Sequence, residues 1–162
     1  MKSNKLLILG ILAWPIFLSA CGGGSGSSAN TANTANTING ITVPPAPDPV
    51  ANSSTLAGVD SNKNGVRDDV ERKIAINATQ GQFDNSIAIA REYQKLVSDG
   101  GLNGDEISAI NLRIQCLSLK PTVLNSKEIG KFIADNNDRT KEIRRATLQA
   151  TGGFFDSENN CK

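Results

Sequence analysis

The chain has 162 residues, with 17 Lys and Arg against 16 Asp and Glu and no histidine. The balance of charge leaves no basic field to recruit nucleic acid. The lack of histidine removes Ser-His-Asp and Cys-His dyads, histidine zinc sites and the commonest general base, and three cysteines are too few for a four-Cys zinc site.

Residues 1–21 read as an address rather than as structure. Lys2 and Lys5 form a basic start, and Leu6 to Leu18 is an apolar run. As a helix that run spans about 20 Å, short of the roughly 30 Å hydrocarbon core, so it suits a signal peptide better than a membrane span. It ends in Leu18-Ser19-Ala20-Cys21 followed by three glycines. This order resembles the lipobox of bacterial lipoproteins. The resemblance implies cleavage before Cys21, acylation of its thiol and a membrane anchor. Gly22 stands where an Asp would retain a lipoprotein at the inner membrane, so an outer-membrane location is expected where two membranes exist.

Residues 22–58 have the composition of a tether: Gly and Ser, then Ala-Asn-Thr triplets from Ala29, then Pro44-Pro45-Ala46-Pro47-Asp48-Pro49. Asp48 is the only charge, and no helical period is present. A disordered linker is expected.

From residue 59 onward the sequence reads as a small domain that opens with Asp60-Ser-Asn62-Lys-Asn64-Gly65-Val66-Arg67-Asp68-Asp69-Val70-Glu71. The stretch fits the twelve-residue pattern D-x-[DN]-x-[DN]-G-x5-E. Alternate residues of a tight loop point inward together. Asp60, Asn62 and Asn64 therefore offer side-chain oxygens to Ca²⁺, and Val66 offers its carbonyl. Asp68 acts through a water, and Glu71 binds with both oxygens. These twelve residues resemble the EF-hand superfamily, and within it the dockerin-like branch, in which a helix leaves the loop but none enters. There is no second loop, and Arg67 occupies position 8, which is apolar where two such loops pair. With three carboxylates and two neutral amides, the expected affinity is weak, about 10⁻⁴–10⁻³ M.

Four helices are expected after the loop, giving an all-α domain. The first covers about Asp68 to Thr79, with Val70, Ile74 and Ala78 on one face. The second covers about Asn85 to Ser98 with Asp84 as N-cap, burying Ile87, Ala90, Leu96 and Val97. The third and fourth both begin Leu-Asn-x-x-Glu-Ile, at Leu102 and Leu124. In each, Asn and Glu make a capping box, and Leu and Ile a hydrophobic staple. The third helix buries Ile107, Ile110, Ile114 and Leu117. The fourth buries Ile129, Phe132, Ile133, Ile143, Ala146, Thr147 and Ala150. It reads as one helix, kinked or straight across Asp135-Asn136-Asn137-Asp138 and closed by Gly152, after which Phe154 and Phe155 fold back as core residues.

With Cys21 lipidated, Cys116 and Cys161 remain in an exported protein, and exported thiols pair. Closing that loop contributes roughly 4 kcal/mol on a chain-entropy basis. No Walker loop, dinucleotide fingerprint or nucleophile elbow is present. The sequence therefore reads as a non-enzymatic, lipid-anchored envelope protein stabilised by calcium. The alternative is a dockerin-like or inhibitor-like module that captures an envelope or secreted partner.

Overall fold

A computed structural model describes residues 36–122, 124–150 and Cys161. The signal peptide, Cys21, Gly152, Phe154 and Phe155 lie outside the described residues. Among the described residues, no helix is long and apolar enough to cross a membrane.

The tether expected over residues 22–58 is corrected from Asn36 onward, where the chain is folded. Strands β1 (Asn36–Ile38) and β2 (Ile41–Val43) pair antiparallel, with Asn36 opposite Val43 and Ile38 opposite Ile41. Asn39 and Gly40 both have positive φ, 51° and 79°. That is the two-residue turn whose twist matches paired strands, and Asn-Gly is its preferred sequence. Ile41 and Val43 are each 1 % exposed and belong to the main core. Their burial contributes about 1.5–3 kcal/mol apiece, which is what an isolated linker of this composition lacks. The Asn39 amide donates to the Ala75 and Ile76 carbonyls at 3.1 and 2.7 Å, closing the end of the helix against which β2 packs.

A short helix, α1 (Pro49–Ser53), follows, with Asp48 accepting from the Ala51 amide and Pro at its first position. Residues 54–59 then lead without helix into the loop at Asp60.

Helix α2 (Asp68–Asn77) matches its expected face: Val70 and Ile74 are fully buried and Ala78 nearly so. Helix α3 (Gln80–Ser98) begins five residues before the expected start, so Asp84 is not its N-cap. Thr79 and Gln82 form the capping box instead. α3 is the central element, and α2, α4, α5 and α6 all pack on it.

Helices α4 (Gly104–Ser118) and α5 (Ser126–Ile133) start as the repeated signature predicts. Asn103 and Asn125 accept from the third helical amide, and Glu106 and Glu128 reach back to the cap amides. Ile107 and Ile129 are fully buried, and Leu102 and Leu124 pack partly buried against the same core.

The expected single fourth helix is two. α5 ends at Ile133, and α6 (Asn137–Gln149) starts afresh from Asn136, whose side chain accepts from the Arg139 amide at 2.9 Å. Asn competes with the helix for its own backbone, so it serves better as a cap than as an interior residue. Along α6 Ala146 is buried, whereas Thr147 is exposed, contrary to expectation, and bonds back to the Ile143 carbonyl. The described residues thus form six helices and one small hairpin, and the domain is all-α in character. A disulfide joins Cys116 on α4 to Cys161.

Candidate metal centre

The loop from Asp60 to Glu71 turns through two left-handed residues, Lys63 at φ 57° and Gly65 at φ 87°. Its inner side is drawn together by short bonds. Asp60 accepts from the Asn64 and Gly65 amides at 3.2 and 2.8 Å. Asn62 Oδ1 accepts from the Asn64 amide, and Asn64 Oδ1 from the Val66 amide. Asp68 Oδ1 accepts from the Ser61 amide at 3.0 Å. At the neck, the Asp68 amide donates to the Val59 carbonyl at 2.9 Å. On the outside, Arg91 of α3 donates to the Asn64 carbonyl at 2.7 Å.

This folding brings Asp60, Asp68 and Glu71 together, each with a carboxylate oxygen within 4.8 Å of the others. Oxygens bound at 2.3–2.6 Å to one calcium ion stand at most about 5 Å apart, so the set fits a single centre. Asp68 and Glu71 are 1 % and 2 % exposed, on the first turn of α2, and Asp60 is half-buried. Asn62 turns its amide nitrogen to Glu71, at 3.2 and 3.3 Å from the two carboxylate oxygens. Asn64 also bonds the Glu71 carboxylate. Of the five side chains expected as ligands, the three carboxylates converge; the Asn62 and Asn64 oxygens, expected as ligand atoms, instead accept from the Asn64 and Val66 amides. Val66, expected to ligate through its carbonyl, has its side chain fully buried in the core.

The electrostatics of this space favour a cation. Burial, reinforced by the charges of Asp68 and Asp60, raises the Glu71 carboxyl to about 7, against the pull of the Asn62 and Asn64 hydrogen bonds. Three converging carboxylates suit a hard divalent ion such as calcium.

The neighbouring residues do something else, and the sequence reading missed it. Asp69 faces away from Asp68 and bonds Arg67 at 2.9 Å and Lys73 at 2.9 Å. Arg67 is fully buried and also donates to the Phe132 and Ile133 carbonyls, at 3.1 Å each, and to Asp135 at 2.7 Å. The other Asp135 oxygen accepts from Arg139, 1 % exposed, at 2.8 Å. Arg139 in turn donates to the Leu56 and Thr55 carbonyls at 3.0 and 2.9 Å and to the Asn52 carbonyl. Burial pushes the Asp69 carboxyl up, but its bonds to Arg67 and Lys73 outweigh that and hold it well below the usual carboxylate range. The only sequence signal for this clamp was an arginine at loop position 8, a place for apolar residues. Gly58, at φ 68°, leaves it room: a Cβ there would stand 2.3 Å from Arg67 Cδ.

No protein-family model matches the chain, and no curated protein or solved structure matches it either.

Proposed function

We propose that this chain is a non-enzymatic, lipid-anchored protein of the bacterial cell envelope, whose helical domain is stabilised by weak calcium binding between Asp60 and Glu71. The observation that carries the calcium part is the convergence of three carboxylates, two of them buried, with no Lys or Arg of the described residues among their bonds. Asp60, Asn62, Asn64, the Val66 carbonyl, Asp68 and Glu71 are the ligands. A cation bound only by the folded state stabilises that state by an amount that grows with the logarithm of its concentration relative to the dissociation constant. The anchor rests on the order of basic start, apolar run, small residues and Cys21. Acyl chains at about 0.8 kcal/mol per buried methylene make such attachment long-lived. Gly22 favours the outer membrane.

Calorimetric titration of the full chain with calcium tests the first part. A dissociation constant of about 10⁻⁴–10⁻³ M is expected, and no heat of binding at several millimolar calcium refutes it. Incorporation of labelled palmitate, lost in Cys21→Ser, tests the second. Unchanged detergent partitioning of that variant counts against the anchor.

A further inference from the structure

Two pieces of the N-terminal part of the domain are held by different forces. The hairpin is held by apolar burial, through Ile41 and Val43. Residues 48–59 are held almost wholly by polar grips. Val50 is 76 % exposed, Asn52 is the only buried residue in the stretch, and Leu56 packs only partly against the core. What fastens this strap is the Arg139 guanidinium on three of its carbonyls, the Asn52 side chain, and the Gln94 amide of α3 donating to the Ala57 carbonyl at 3.2 Å. Asn52 accepts from the Val59 amide at 3.0 Å and donates to Asp69 at 3.1 Å. Segments with few apolar contacts belong to the low-stability end of a fold and open locally.

The strap is wired to the metal centre through Asn52 and Arg139. Val59, which Asn52 holds, accepts the Asp68 amide and immediately precedes Asp60. Asp69 and Asp135 lie on the same Arg67 that follows Val66 in the loop, and Asp135 joins Arg67 to Arg139. Like charges repel, so a cation between Asp60, Asp68 and Glu71 favours the closed neck over an open one.

We propose that residues 48–59 form a calcium-controlled strap, docked when the loop holds its ion and released locally when it does not, while the hairpin stays in place. This rests on the calcium reading above. It adds a conformational output to what is otherwise a stabilising ion.

Hydrogen exchange on the full chain in 10 mM calcium and in EDTA tests it. For a site of about 10⁻⁴–10⁻³ M, amides whose exchange requires the coupled opening slow by about 10- to 100-fold with calcium. The expected result is that slowing in peptides covering 50–59 and 60–71, with 36–43 and α4 unchanged. Asp135→Asn cuts the link between the two arginines. In that variant calcium still slows exchange in 60–71, and the slowing in 50–59 shrinks to what the Asn52 and Val59 route carries alone. Slowing in 60–71 alone in the wild-type chain overturns the strap and leaves the calcium site standing. No slowing in either overturns both. Wild-type slowing of 50–59 retained in Asp135→Asn overturns the arginine route. If that variant does not fold, the wild-type pair of conditions decides.

Discussion

Asp68 and Asp69 are adjacent in the chain and live in opposite electrostatic worlds. Asp68 joins Asp60 and Glu71 in a space whose bonds come from backbone amides and from Asn62 and Asn64. Asp69 joins Asp135 in a space that the protein fills with its own cations, Arg67, Arg139 and Lys73. The consequence appears in the acids themselves: Glu71 is pushed up to about 7, while Asp69 is driven well below its ordinary value. Buried negative charge needs a partner. One cluster has it in the chain's own arginines and lysine; the other is the place where the proposed calcium ion would supply it.

That contrast can be broken from either side. The largest effect is expected at Arg67→Met, which keeps the bulk and removes the internal cation. It leaves two helix-end carbonyls and part of two carboxylates without their partner, and should cost about 3–5 kcal/mol in urea unfolding with calcium present. Next comes Glu71→Gln. Calcium at 10 to 100 times its dissociation constant should stabilise the wild-type chain by about 1.4–2.7 kcal/mol, and this variant by nothing measurable. In EDTA above pH 7, Glu71→Gln should be no less stable than wild type, because it removes a crowded charge.

The pH dependence should separate the two clusters. The folded chain holds the Glu71 proton up to about 7, and the unfolded chain releases it near 4.5. Stability in EDTA should therefore fall as pH rises from about 4.5 to 7. Calcium must displace that proton, so its apparent affinity should drop about tenfold per unit below pH 7. The gap between melting midpoints in calcium and in EDTA should widen from pH 5 to pH 8. Asp69 stays ionised throughout that range and contributes no slope. The smallest effect is expected at Lys73→Ala. Its side chain is 40 % exposed, and its bond to Asp69 duplicates the one from Arg67. A loss below about 1 kcal/mol is expected in the same unfolding assay.

What the sequence disclosed divides along the same line. Signals that act within a few residues were legible: the spacing that brings Asp60, Asp68 and Glu71 together, and the Asn103 and Asn125 capping boxes with Ile107 and Ile129 buried behind them. The local signals that were misread had competing features beside them. Thr79 and Gln82 open α3, but Gly81 interrupts the pattern there. Asn39-Gly40 is a hairpin turn set inside an Asn- and Thr-rich run that looks like spacer, and its strands are only three residues long. The clamp was not legible in the same sense. Arg67 meets Asp135 across 68 residues, and Arg139 meets Asn52 across 87. Charged residues are exposed by default, and only the tertiary fold buries these. α5 ends at Ile133 and Asn136 opens α6 between Asp135 and Arg139, so periodicity alone, which ran through both helices, hid the break.

The hairpin has a mechanical consequence. Its tight turn sets the incoming end of β1 beside the outgoing end of β2, Asn36 across from Val43. Tension arriving from the N-terminal side thus loads the rungs between the strands one after another and unzips them. It does not shear them together. β1, whose first two residues are exposed, is the weak link that yields first. β2 then resists as an anchor, with Ile41 and Val43 sunk in the core.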